Sequence, residues 1–194
     1  MRIILGSQSL GRKKILEEMG YDFEVMPSNI DEKAIRNPNP SALTLALAIA
    51  KARALLPKIE GEALLITADK VVVLRDTITE KPQARLEAYR FLRRCSSNSA
   101  CIVTSVLVTN TLSHSSFGIT DKATVYFRYI PPKTILEYIA TGDCYNHAGG
   151  FDHEHPVLAP YIQRIDGERE SIIGLPRKLT EALLVDFLSE ERQK

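Results

Sequence analysis

Net charge is nearly absent from this chain: 25 lysines and arginines against 24 aspartates and glutamates leave a formal +1 over 194 residues. So even a balance offers no global attraction for nucleic acid or an anionic membrane surface. Neither partner is expected, and any basic site must be local. Cysteine is scarce too: Cys95, Cys101 and Cys144 are an odd number with no Cys-x-x-Cys pair. That argues against a disulfide framework and for reduced thiols in a cytoplasmic protein. The first residues lack the long apolar run of a leader or membrane helix, and Ile3-Ile4-Leu5 reads as a short strand instead. Internal repeats, low-complexity tracts and clear linkers are missing as well. With 44% hydrophobic residues, the chain is expected to be one soluble globular domain, 1–194, able to bury a proper core.

One segment conflicts with its surroundings. Ala63 to Leu74 is a near-continuous apolar run rich in β-branched residues, the pattern of a central strand covered on both faces, yet it carries Asp69. Burying an unpaired carboxylate costs several kcal/mol. Asp69 is therefore expected to be paired, bound to a cation, or placed at a strand end beside a cleft.

Around this strand the pattern predicts alternating elements. Arg2 to Leu5 reads as a strand, Lys13 to Met19 as a helix stopped by Gly20, and Tyr21 to Met26 as extended. Ser41 is expected to cap a helix running to about Leu56, ended by Pro57. A helix over Leu86 to Arg93 and strands over Ala100 to Thr109 and Ala123 to Tyr129 follow, with the polar stretch Leu112 to Asp121 read as a hairpin loop. Thr134 to Ala140 reads as helix and Val157 to Ile165 as strand. Gly174-Leu175-Pro176 opens a last helix with Leu179, Leu183 and Phe187 on one face. Interleaved strands and helices with hairpin neighbours predict an α/β fold with a mixed sheet.

Several residues are suited to phosphate chemistry. Gly6-Ser7-Gln8-Ser9-Leu10-Gly11-Arg12-Lys13 is a hydroxyl-rich turn into a helix start, where backbone N–H groups and Arg12 favour an anion; no Walker pattern is present. Lys51 follows Leu47 by four and sits beside the apolar face of its helix, a place from which lysines usually reach back to water. Asp31-Glu32 and Asp69 supply carboxylates from separate segments, a pattern suited to Mg²⁺ with substrate phosphate. Lys81 precedes Pro82, which holds the local backbone. A rival arrangement is a zinc site from Cys144, His147, His153 and His155, although the spacing matches neither a finger nor a His-Glu-x-x-His helix.

Taken in order, these pieces resemble the Maf family of nucleoside triphosphate pyrophosphatases over nearly the whole chain. Ser7 to Arg12 corresponds to Ser-x-Ser-Pro-Arg-Arg, Asp31-Glu32 to Asp-Glu, Lys51-Ala52 to Lys-Ala, and Ala68-Asp69-Lys70-Val71-Val72 to Ala-Asp-Thr-Val-Val. Glu80-Lys81-Pro82, Ala148-Gly149-Gly150 and Gly174-Leu175-Pro176 correspond to Gly-Lys-Pro, Ala-Gly-Gly and Gly-Leu-Pro. The resemblance implies a mixed twisted sheet with flanking helices, in two lobes around a central cleft, like that of inosine triphosphatase. It also implies a homodimer that hydrolyses a nucleoside triphosphate to monophosphate and pyrophosphate with Mg²⁺ or Mn²⁺. In that reading Asp69 is catalytic and holds the metal with Glu32, while Ser7, Ser9, Arg12, Lys51 and Lys81 bind phosphate. Gly11, Lys70 and Glu154 fall where the family selects its base. Members preferring dTTP and UTP carry Arg, Thr and Gln there, and those acting on 7-methyl-GTP carry Trp, Gln and Glu. Of this chain's three residues only Glu154 matches either set, which leaves a pyrimidine or a modified nucleotide as the expected substrate. The alternative is a non-catalytic nucleotide-binding regulator of septum formation.

Overall fold

The computed structural model describes residues 1–191. In chain order its main elements begin with β1 (Arg2–Leu5), α1 (Leu10–Glu18), β2 (Glu24–Val25), α2 (Pro40–Leu55), β3 (Ala63–Leu74) and β4 (Thr77–Thr79). Next come α3 (Arg85–Cys95), β5 (Ser99–Asn110), β6 (Ser116–Phe127) and α4 (Pro132–Ala140). The last are β7 (Ile162–Asp166), α5 (Arg169–Ile173) and α6 (Arg177–Glu191). The strands form one mixed sheet in the order β2-β1-β3-β5-β6-β7, with β4 paired to β3. This is the expected α/β architecture of a mixed sheet with flanking helices. Among the described residues no helix is long and apolar enough to cross a membrane.

The chain divides into two compact units. The first takes Met1–Lys70, Thr104–Asp121 and the residues from Glu168 onward; the second takes Val71–Val103 and Lys122–Gly167.

In the first unit, β1 lies parallel to both β2 and β3, with Arg2 opposite Ala63 and Leu5 opposite Ile66. Side chains alternate between faces along a strand, so β3 feeds two cores. Leu64, Ile66 and Ala68 join Ile15 and Leu16 of α1 and Leu183, Leu184 and Phe187 of α6 on one face. Ala63 and Leu65 join Ala48, Ala52 and Leu55 of α2 on the other. Burial on both faces explains why β3 reads as apolar throughout. The expected strip on the last helix packs as predicted at Leu183 and Phe187, with Leu179 only half-buried.

The second unit has its own buried set, including Val72, Leu74, Leu92, Ile102, Val125, Phe127, Ile135, Tyr138 and Phe151. Phe127 and Phe151 meet edge to face at 5.2 Å. β6 pairs antiparallel with β7, Thr124 opposite Asp166.

Several boundaries differ from expectation. The second helix is capped by Asn39, not Ser41: Asn39 Oδ1 accepts from the N–H groups of Ser41 and Ala42 at 2.9 and 3.2 Å, and Pro40 takes the first helical position, where its missing N–H costs nothing. The hairpin loop is shorter than 112–121, because β6 already starts at Ser116; the turn closes through Asn110, whose Oδ1 accepts from Leu112 and Ser113 N–H. Extended structure over 21–26 shrinks to Glu24–Val25. The strand expected from Val157 begins only at Ile162, since Ala159–Tyr161 forms a 3₁₀ turn around Pro160.

Candidate functional site

The alternation of β3 that sends Leu65 toward α2 sends Thr67 and Asp69 the same way. Thr67 Oγ1 donates to the carbonyl of Ala48 at 2.8 Å, and one helical turn further along α2 stands Lys51. Its Nζ donates to Asp69 Oδ1 at 2.6 Å and to the carbonyl of Ala68 at 3.4 Å. The same Nζ lies 2.8 Å from Glu32 Oε1. Lys51 is therefore no snorkelling lysine: it is 6% exposed, and one buried ammonium joins a carboxylate from the strand to one from the 3₁₀ turn Glu32–Ala34. The paired state expected for Asp69 is the one observed, although it sits within the strand and not at its end.

Asp69 is also 6% exposed. Its carboxyl is held above the ordinary carboxylate range, because burial outweighs the attraction of Lys51 and Arg12, and the negative charge of Glu32 adds to the rise. A carboxylate displaced in this way has a stronger affinity for a proton, which suits an acceptor during water attack.

The turn before α1 forms the second half of the arrangement. Ser9 is the N-cap, its Oγ accepting from Arg12 N–H at 3.4 Å, and Ser7 Oγ accepts from Ser9 N–H at 3.2 Å. Arg12 is not a solvated first-turn cation: it is 8% exposed, with Nη1 donating to Ser7 Oγ at 3.2 Å and Nε to the carbonyl of Gly174 at 2.9 Å. Burial lowers the guanidinium from its ordinary value, opposed by the charges of Asp69 and Glu32. Gly6, just before the turn, is required by closeness: a Cβ there would stand 2.7 Å from Thr67 Cγ2. Ser7, Ser9, Arg12, Glu32, Lys51 and Asp69 thus come together in the first unit.

Two carboxylate oxygens sharing one ammonium form a hard-oxygen donor pair, which fits Mg²⁺ or Mn²⁺ better than a soft metal. The zinc arrangement does not assemble. Among the described residues, the ligand-type side chains that converge in this stretch are Asp143, His147 and Asp152, within 4.8 Å of one another, and Cys144 is buried.

Lys81 and Glu154 lie in the second unit and are both exposed. There, two of the sequence pieces meet: Gly149 N–H donates to the carbonyl of Glu80 at 3.1 Å, and a Cβ on Gly150 would touch Pro82. Gly149 has φ +72°, and any Cβ on it would stand 2.8 Å from Val72 Cγ1, so only glycine serves at that turn. Glu154 is held at its backbone, where its N–H donates to Asp152 Oδ1 at 3.0 Å. Lys70 points to the face opposite Asp69, and its Nζ donates to the carbonyl of Ile172 at 2.6 Å. Sequence reasoning missed Gly174 as the acceptor that holds Arg12, since a backbone carbonyl carries no side-chain signal.

Comparison with known proteins gives a consistent picture. The model of Maf-like proteins matches residues 2–187. A 7-methyl-GTP pyrophosphatase of Dictyostelium discoideum is 39% identical over 94% of this chain and 95% of its own length. A dTTP/UTP pyrophosphatase of Thermoanaerobacter sp. (strain X514) is 30% identical over 96% of this chain and 97% of its own. Among solved structures, a HAM1 protein from Coxiella burnetii superposes with a TM-score of 0.50 at 13% identity, covering 98% of this chain and 99% of that one, a likeness of fold.

Proposed function

The chain belongs to the Maf family, and from that premise we propose that it is a nucleoside triphosphate pyrophosphatase. It would hydrolyse a pyrimidine or modified nucleoside triphosphate to the monophosphate and pyrophosphate, clearing such nucleotides from the pool. The observation that carries the reading is the buried carboxylate of Asp69, held 2.6 Å from an ammonium that also binds Glu32. A module that only bound nucleotides would have little use for a strand carboxylate whose burial is costly. The alternative of a non-catalytic septum regulator is accordingly not favoured, and the relatives bear the names of enzymes.

In the proposed reaction water attacks the α-phosphorus, the bond from that phosphorus to the α,β-bridging oxygen breaks, and pyrophosphate leaves with the electron pair. Asp69 orients the water and accepts its proton. Arg12, Ser7 and Ser9 hold phosphate oxygens at the turn before α1, and Lys51 adds positive charge beside Asp69. Asp69 and Glu32 would hold a divalent cation, Mg²⁺ or Mn²⁺, which when bound polarises the phosphoryl group and neutralises its charge. Lys81 as a phosphate contact, Glu154 as the residue that reads the base and a homodimer rest on the resemblance, and a cytoplasmic location on the sparse, unpaired cysteines.

The testing experiment is pyrophosphate release with Mg²⁺ from a panel of dTTP, UTP, CTP, 7-methyl-GTP and ITP. Release from one or a few of these is the expected result; none from any would reject the enzyme. On the same panel Glu154→Gln should change the order of preference by about tenfold while altering the best rate less, because a carboxylate accepts from a guanine edge or faces a cationic ring and an amide does so less well. An unaltered order would make Glu154 structural.

A further inference from the structure

Asp69 and Lys70 are consecutive, yet strand alternation sends them to opposite faces, and Lys70 meets the end of a helix there. That end is the last turn of α5, closed by Gly174 at φ +116°, where Gly174 and Leu175 N–H both donate to the carbonyl of Glu170. The last carbonyls of a helix have no partner within it. Here two buried carbonyls of this turn are taken by cations: Ile172 accepts from Lys70 Nζ at 2.6 Å and Gly174 accepts from Arg12 Nε at 2.9 Å. The helix is also anchored from β5 and β6, with Thr104 Oγ1 donating to the carbonyl of Ser171 at 2.8 Å and Ser171 Oγ donating to Asp121.

Packing agrees with the hydrogen bonds. A Cβ on Gly174 would stand 3.1 Å from Lys70 Cδ and 3.3 Å from Arg12 Nε, so the turn fills the space between the two cations. A Cβ on Gly11, the residue before Arg12, would stand 2.4 Å from Ile173 Cγ2. Gly11 and Lys70 therefore contact the same three-residue turn, one by leaving space and the other by donating a bond.

We propose that Ile172–Gly174 is a positioning element of the phosphate cradle, in which Lys70 fixes the turn and the Gly174 carbonyl fixes the plane of the Arg12 guanidinium. Lys70 on this account serves affinity for the phosphate chain and does not choose the base. Gly11 is glycine because Ile173 occupies the volume its side chain would need. The inference rests on the reading of Arg12 as a phosphate ligand.

The test is calorimetric titration of inorganic tripolyphosphate, with Mg²⁺, into the wild type and Lys70→Met, Lys70→Arg, Gly11→Ala and Gly11→Ala/Ile173→Ala. Lys70→Met keeps the stem and removes the donor, so binding should weaken about tenfold, the usual effect of losing a charge-assisted bond. Lys70→Arg can still reach the carbonyl and should stay within about threefold. Gly11→Ala should weaken binding by pushing Ile173 aside, and the double variant should regain it. On the nucleotide panel, KM should rise alike for every base in Lys70→Met with kcat within about threefold, a split that a general loosening of the site would not give; the melting temperature should fall by a few degrees, because the buried Ile172 carbonyl loses a donor. A changed base order with unchanged tripolyphosphate binding would overturn the proposal and make Lys70 a base reader. Wild-type binding by Lys70→Met, or no recovery in the double variant, would overturn it too. A wild type that fails to bind tripolyphosphate at all would instead reject the cradle on which it rests.

Discussion

Asp69→Asn should lower pyrophosphate release by about 10³-fold or more while the protein still melts in one cooperative transition. The amide keeps the shape and can still accept from Lys51 Nζ, now 2.6 Å from Asp69 Oδ1, but it cannot take a proton from water. General base catalysis alone contributes roughly 10²–10⁴ in rate, and the variant also removes one of two carboxylates available to a cation. Stability should change little, because two effects oppose each other. Folding raises the carboxyl above its ordinary range. A group raised in this way contributes stability at low pH that is lost as pH rises through the folded value, so at neutral pH the ionised form is a burden relieved only in part by Lys51. Asparagine removes that burden and also removes part of the compensation of Lys51, which keeps Glu32. A melting temperature within about 3 °C of the wild type is expected, together with loss of the acid-side stability gain that the wild type should show. Turnover within tenfold of the wild type would end the role proposed for Asp69.

Lys51→Met should damage both folding and rate. Methionine fills the space of the lysine stem but leaves the Asp69 carboxylate buried without its nearest cation. Removing one member of a buried ion pair costs about 3–5 kcal/mol, because the remaining charge stays desolvated. The molecule can avoid part of this cost by protonating Asp69, which fixes the direction of the pH effects. The carboxyl, already raised, should rise further; the acid limb of the pH–rate profile should move to higher pH, since the ionised form is the active one. For the same reason the stability deficit should be largest at neutral pH and shrink on acidification. Turnover at neutral pH should fall about 10²-fold. Urea denaturation at neutral and mildly acidic pH, with pH–rate profiles, measures all of this. A neutral-pH midpoint and an acid limb both equal to the wild type's would show that Lys51 does not hold Asp69.

The contrast between what could and could not be read in advance has a physical pattern. Asp69 stood out because a strand buried on both faces leaves no innocent place for a carboxylate, and Lys51 because helix periodicity placed it beside an apolar face. Their meeting was legible only as a possibility, since periodicity tells which face a residue occupies and not what faces it. α5 escaped notice because Arg169-Glu170-Ser171-Ile172-Ile173 is five residues long, too short for any apolar period to show. The start of β6 looked like a loop because Phe117 and Ile119 alternate with Gly118 and Thr120 in a largely polar run; only contact with the core, including an edge-to-face pair of Phe117 with Phe187, makes it a strand. Lys70 is expected to read the base only through the family resemblance; strand alternation places it on the face away from Asp69, and no sequence signal marks the Ile172 carbonyl it meets there.

The first unit is assembled from three separate stretches of chain, and this orders events during synthesis. Most of the side chains assigned to water attack and phosphate binding lie within the first 70 residues and leave the ribosome early, but the carbonyl that holds the Arg12 guanidinium belongs to Gly174. Until that late segment emerges, a nascent chain carries the reactive groups without the frame that aims them. Contacts spanning 162 positions close slowly, so the growing polypeptide should remain chemically silent toward cellular nucleotides until Gly174 has emerged and docked.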